Sequence, residues 1–307
     1  MDLQYLGASP PPADHPVFTE QETAVSPQIL SLLSELLVEE TRGQALETLS
    51  RNRESYSSFA LALWNSVGVV TVLLQEILST YHLLVPPVLT SSQSTRVNHA
   101  LGLLQVIATH SETKMWLLEA NLHLYLFPFL ATQTQTKPYE YLRLSSLAVV
   151  GALLKSDLPI VVPMLLKTEI VPLCLRIMDS CQTTARTIAT FTIQRIISDE
   201  SGLNYLKNHP DKLSNLHKVL KTNVLVLISK KNSKGRDSED KKDEPDLQLL
   251  RLVLRCWTRL AESGDNRAFF SGNPLPAEVL DDSLVQLFGC DKTVVKHHRL
   301  LRELISK

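Results

Sequence analysis

Long amphipathic helical segments recur along this chain at a nearly regular spacing. Apolar residues fall at i, i+3, i+4 and i+7 in RVNHALGLLQVIATH, YLRLSSLAVVGALLK, TIATFTIQRIIS and LQLLRLVLRCWTRLAE. These runs begin near residues 95, 141, 184 and 247. The first three starts are about 43–46 residues apart, and the fourth is delayed by roughly the length of a charged run ahead of it. Between them lie shorter segments of one pattern, LLEANLHLYLFPFL (117–130) and LLKTEIVPLCLRIM (165–178). Weaker echoes stand at WNSVGVVTVLLQEIL (64–78) and YLKNHPDKLSNLHKVL (205–220). A period of this size with two or three helices per unit is the sequence signature of armadillo and HEAT repeats. One such unit cannot bury its own apolar face, so units stack and share a continuous core behind a curved surface. The expected fold is therefore all-α, an armadillo-repeat right-handed superhelical solenoid. SPQILSLLSELLVEETRGQALETLS (26–50) reads as an atypical first unit, and the stretch from Asp281 to Lys307 as a cap.

Composition supports this. Apolar residues make up 44% of the 307, enough for a sizeable core, and only 10 are glycine. So few glycines argue against a chain of hairpins and phosphate-cradling loops. Two stretches break the pattern. Residues 1–25 carry Asp2, Asp14, Glu20 and Glu22, no Lys or Arg, and four prolines, and read as a disordered acidic tail. Residues 230–246, KKNSKGRDSEDKKDEPD, hold six basic and six acidic side chains and no apolar one, and read as a solvated loop inserted in the repeat domain 26–307.

No catalytic constellation is present. H-E-x-x-H, G-x-S-x-G, Walker and G-x-G-x-x-G motifs are absent, so an enzyme is not expected, nor any cofactor or metal. His297 and His298 are adjacent on a helix, about 100° apart, and cannot clamp one metal. The cysteines, Cys174, Cys181, Cys256 and Cys290, form no C-x-x-C, and so few thiols suggest a reducing compartment. No uncharged apolar run reaches the ~18 residues of a membrane helix, and the N-terminus has no signal-peptide pattern, so no membrane association and a nucleocytoplasmic home are expected.

The surface is then the working part. The third helix of each unit lines the concave groove in such solenoids. Each of the four long helices carries a basic residue in or near its first turn: Arg96, Arg143, Arg186 and Arg251, with Lys155 and Arg195 adding to the same surface. A ladder of cations can follow a phosphate backbone, RNA or single-stranded DNA, as a transcriptional regulator would require. The same arginines can instead bridge neighbouring repeats. Trp64, Trp116 and Trp257 are followed four residues on by Gly68, Ala120 and Ala261, so the W-x-x-x-N array of importin-like grooves is missing.

Several strings are more specific: PYEYLRLSSL (138–147), TEIVPLCLRIM (168–178), LLQEI (73–77) and PP-x-LT-x-x-QS-x-RV-x-x-AL-x-LLQ (86–105). ATF-x-x-Q-x-I (189–196), D-x-x-GL (199–203) and VLRCWTRL (253–260) join them in order. Together they resemble the cell-differentiation, Rcd-like family, the armadillo-repeat subunit of the CCR–NOT deadenylase complex of eukaryotes. The resemblance covers roughly residues 26–305. It implies a six-repeat, non-catalytic adaptor acting in mRNA deadenylation, decay and translational repression, in the cytoplasm, P-bodies and nucleus. It also implies docking on the central scaffold subunit, a groove for short helical peptides of RNA-binding repressors, nucleic-acid binding on the concave face, and a candidate homodimer. Carried over by position, the peptide groove falls on Leu78, Tyr141, Ala148 and Ile188. Ala148 stands where the family has Gly, so one methyl narrows the groove. The tryptophan-pocket region of some members falls on His209, Lys212, Arg267, Phe269 and Phe270, where a phenyl is expected to fill the cleft.

Overall fold

The computed structural model describes residues 26–54, 58–155, 158–234, 244–288 and 291–305; the side chains of 234, 244 and 265–268 lie outside the description. The acidic segment 1–25 and Cys290 also lie outside the described residues. Every regular element among the described residues is a helix. The first unit is α1 (Pro27–Leu37) and α2 (Glu39–Arg51), and the second α3 (Phe59–Asn65), α4 (Val69–Leu78) and α5 (Ser91–Thr109). The third is α6 (Ser111–Glu119), α7 (Phe127–Ala131) and α8 (Lys137–Leu154), and the fourth α9 (Val161–Leu166), α10 (Ile170–Ser180) and α11 (Thr183–Ser198). The fifth is α12 (Glu200–Asn208), α13 (Pro210–Lys234) and α14 (Glu244–Glu262). The last holds α15 (Gly264–Gly272), α16 (Ala277–Leu280), α17 (Ser283–Phe288) and α18 (Lys292–Ile305).

The long helices α2, α5, α8, α11, α14 and α18 pack each on the next, a ladder of six rungs. The second helices α1, α4, α10 and α13 form a second layer with α7 and the 3-10 turn Leu122–Leu126. One core runs through all six units, from Ile29 to Leu301. On α10 it takes Ile170, Val171, Leu173, Cys174, Leu175, Ile177 and Met178, and each fully buried Leu or Ile contributes about 1.5–3 kcal/mol.

Local sequence sets where the helices start. Thr90 and Gln93 form a reciprocal capping box on α5: the Thr90 hydroxyl accepts from Gln93 N, and Gln93 Oε1 accepts from Thr90 N at 3.0 Å. Asp199 caps α12 by accepting from Ser201 N at 2.8 Å. Pro27 and Pro138 occupy first turns, where a missing N–H costs nothing. Gly68 precedes α4 at φ +84°, and a Cβ there would also stand 3.3 Å from Leu37 Cδ2.

The predicted loop at 230–246 is shorter than its composition suggests. α13 continues through Lys234 and α14 begins at Glu244, so both ends of that run are helical. Asp246, itself buried, accepts a hydrogen bond from Lys230 across the two helices. An ion pair at the base of the hairpin lets these helices run on without an apolar partner. Residues 235–243 lie outside the described residues.

Candidate functional site: the face of the long-helix ladder

Tyr141 and Ala148 are seven residues apart on α8 and share one face of it. Tyr141 is 52% exposed, unusual for a large aromatic ring, and Ala148 is partly exposed. Two residues before Tyr141 the same helix is anchored hard. The Tyr139 hydroxyl donates to Leu83 O at 2.8 Å and accepts from Leu89 N at 3.0 Å. That double bond to the segment before α5 fixes the N-terminus of α8, so Tyr141 is presented on a rigid support. Ile188 stands on the next rung, α11, half-buried against the core. The two rungs approach closely near Gly151, where an added Cβ would lie 3.9 Å from Phe191 Cε1. Tyr141, Ala148 and Ile188 therefore lie on adjacent rungs. Leu78 ends α4, in the second layer, and is 40% exposed. An apolar residue at a helix end looks the same in sequence whichever layer the helix enters.

The four arginines are engaged within the protein. Arg96 pairs with Glu76 of α4, Nε to Oε2 at 2.5 Å and Nη2 to Oε1 at 2.7 Å. Arg143 is 1% exposed, and its Nη2 donates to Thr132 O at 2.8 Å and Thr134 O at 3.0 Å. Arg186 donates from Nε to Cys181 O at 2.6 Å and from Nη1 to Asn223 Oδ1 at 3.3 Å. Arg251 closes on Asp291, Nη2 to Oδ2 at 2.6 Å. Arg195 reaches Leu154 O at 3.0 Å, and Lys155 is exposed where α8 ends. These contacts fit the alternative reading, in which the arginines bridge neighbouring segments; Arg143 is sealed, while the Arg96 and Arg251 side chains stay 45% and 28% exposed. An arginine in the N-terminal half of each of these rungs lies beside polar groups of a neighbouring segment, carbonyls, carboxylates or an amide, which take part of its donors. Sequence offered one clue to a partner: Glu76 is the single acid in the apolar run LLQEI.

At the turn from α12 into α13 the Tyr205 and His209 rings lie 4.4 Å apart. The Lys212 ammonium stands over the Tyr205 ring, 4.6 Å from its centre, and also donates to its hydroxyl. Phe269 and Phe270 belong to α15 and turn onto His217, with ring centres 5.6 and 5.8 Å from its imidazole. Phe270 is buried and Trp257 beneath them is fully buried. The structure thus divides the predicted tryptophan-pocket residues between two clusters, and the two phenyls belong to a packed aromatic group. The Arg267 side chain lies outside the described residues. His217, at the centre of that group, carried no motif and was missed.

No group of three His, Cys, Asp or Glu among the described residues could hold a metal ion. No single described helix is long and apolar enough to cross a membrane.

Residues 32–305 match the model of the cell differentiation family, Rcd1-like. The chain belongs to that family. Cell differentiation protein rcd1 of Schizosaccharomyces pombe is 42% identical over 256 residues, covering 83% of this chain and 85% of that protein. Protein CAF40 of Saccharomyces cerevisiae is 38% identical over 279 residues, 91% of this chain and 70% of that protein. Among solved structures, the designed armadillo repeat protein YIII(Dq)4CqI superposes with a TM-score of 0.61 at 13% identity, over 90% of this chain and 99% of the other. The designed armadillo repeat protein YIII(Dq.V1)4CPAF, solved in complex with peptide (KR)4, gives 0.60 at 14% identity, over 91% and 99%. At such identity the likeness establishes the fold alone. This Rcd1-like chain is an all-α armadillo solenoid.

Proposed function

We propose that this Rcd1-like chain is a subunit of the CCR–NOT deadenylase complex that works by binding rather than by catalysis. It docks on the central scaffold subunit and receives short helical peptides of RNA-binding repressors, so that messages they hold are deadenylated, decayed and translationally silenced. The compartments are cytoplasm, P-bodies and nucleus. The observation that carries the reading is the exposed Tyr141 ring on the same helix face as Ala148, with Ile188 on the adjacent rung, in a chain that belongs to this family over nearly its whole length. An amphipathic helix binds such a surface through apolar anchors at i, i+4 and i+7.

The test is a pull-down of the full chain, unaltered and as Ile188→Glu, from eukaryotic lysate, with mass spectrometry of the bound proteins. The expected result is deadenylase scaffold and nucleases with both forms and RNA-binding regulators with the unaltered form alone. Folded protein that recovers no deadenylase component overturns the subunit role. Regulators retained by Ile188→Glu move the peptide site away from α11.

A further inference from the structure

Where the C-terminal end of α2 meets the end of α5, a cleft of about 630 Å³ opens beside the start of α3. Phe59, Ala60 and Val106 form apolar parts of its wall, and Arg53, Glu54 and His110 are its ionisable groups. The volume suits a small organic ligand or the end of a peptide. The cleft is not part of the Tyr141–Ile188 surface, and its residues lie on the first three units.

Arg53 differs from the four ladder arginines. No described carboxylate pairs with it; its Nη1 makes one hydrogen bond, a 3.3 Å donation to Ser50 O. A guanidinium has five N–H donors, so most of this fork is unused among the described residues. Its position is set by Gly102 on α5. A Cβ there would stand 3.0 Å from Ser50 Oγ and 3.2 Å from Arg53 Nη1, so any other residue would push the guanidinium away. The absence of a side chain at Gly102 thus makes room for a half-buried, under-used cation at the cleft. His110, across the wall, has its Nδ1 buried without a partner, and neither ring nitrogen makes a hydrogen bond among the described residues.

We propose that this cleft binds a carboxylate carried on an apolar body, with Arg53 taking the carboxylate through its free fork and the partly exposed Val106, backed by the buried Phe59, taking the body. A planar fork matches a carboxylate bidentately, and His110 supplies a further polar contact. Glu54, exposed in the same lining, repels the anion and weakens its binding. The carboxylate has two sources with the same chemistry, a free aryl- or alkyl-substituted organic acid and the C-terminus of a peptide.

The experiment is calorimetric titration of the full chain with 3-phenylpropanoate, with its neutral amide, and with acetyl-Leu-Phe as free acid and as C-terminal amide. At least one acid is expected to bind, and its amide about 10-fold or more weakly, as fits loss of a charge-assisted pair. Arg53→Gln reduces acid binding by a similar factor, while Glu54→Gln raises it about 2–5-fold. Gly102→Ala lowers acid binding with the circular dichroism spectrum unchanged; should that variant misfold, Arg53→Gln alone decides. Binding of the organic acid only identifies a small-molecule site, and binding of the peptide acid only identifies a C-terminus reader. Equal binding of acid and amide, unchanged affinity in Arg53→Gln, or no binding of either acid at millimolar concentration overturns the proposal.

Discussion

Arg96 and Glu76 form a two-pronged ion pair between the long helix and the second helix of the same unit. The distances are 2.5 Å for Nε to Oε2 and 2.7 Å for Nη2 to Oε1. The carboxylate side chain is 7% exposed, and Arg42 of the first unit adds a weaker contact at 3.6 Å. The pair raises the basicity of Arg96, chiefly through its hydrogen bonds to Glu76. A carboxylate in an apolar helix thus becomes the junction of the first two units.

Replacing Glu76 with Gln removes the charge and leaves two guanidinium groups around a neutral amide. Breaking one side of a buried pair costs about 3–5 kcal/mol, discounted here because Arg96 is 45% exposed. The expected loss is about 2 kcal/mol. Urea unfolding of the Glu76→Gln chain measures it, and an unchanged midpoint would show that the junction is idle.

Arg143 is expected to act on stability and not on nucleic-acid affinity. Its Nη2 donates to two carbonyls of the segment before α8 in a site 1% exposed, where the more strongly hydrated ammonium of lysine costs more to bury. Arg143→Lys should cost about 1–3 kcal/mol. Any binding of single-stranded RNA, read by fluorescence anisotropy, should be unaltered in folded Arg143→Lys. A drop in affinity without a drop in stability would return this residue to the surface.

His123 sets an acid limit. The ring is 1% exposed, neither nitrogen has a hydrogen-bond partner among the described residues, and burial pushes its pKa down to about 4 from 6.5. Between those values the unfolded chain binds the proton and the folded chain does not. Stability is therefore complete above pH 6.5 and declines as pH falls toward 4, by at most about 3 kcal/mol. His99, His217 and His297 are shifted down, first by burial, and act in the same direction. His123→Leu should raise the melting temperature at pH 7 and flatten its decline toward pH 5. A steeper decline in the variant contradicts this account.

The thiols of Cys174 and Cys256 should be inert in the native chain. Both are fully buried, and burial pushes Cys174 up to about 12 and Cys256 higher still. The thiolate is the nucleophile, so neither should react with iodoacetamide until urea unfolds the protein. Peptide mass spectrometry after a timed pulse reads this directly, and rapid native labelling of Cys174 would mean the fourth unit opens.

The helical ladder was legible because helix periodicity is local. Predicted starts near 95, 141, 184 and 247 lie within four residues of the observed starts at 91, 137, 183 and 244. Thr90 with Gln93, and the prolines of first turns, mark helix ends by chemistry that acts within four residues. The charged run at 230–246 misled because composition favours solvation but does not show that Lys230 and Asp246 face each other across two helices. Tyr141 and Ile188 were found by resemblance, and the structure places them on neighbouring rungs; Leu78, found the same way, lies in another layer.

Sequence by itself determined the helices, their period, and hence a stacked solenoid, since each unit carries an apolar face that only a neighbouring unit can cover. Tertiary structure decided which side chains are surface. Arg143 and Arg53 are the same residue type, yet one is 1% exposed with its Nη2 held by carbonyls and the other keeps an unfilled fork beside a cleft. The difference lies in what surrounds each guanidinium: carbonyls of the segment before α8 at 2.8 and 3.0 Å from Arg143 Nη2, and for Arg53 the side-chain-free Gly102 of the adjoining unit. Such contacts join residues 9 and 11 positions apart at Arg143 and in different units at Arg53, and no periodicity within one helix encodes them.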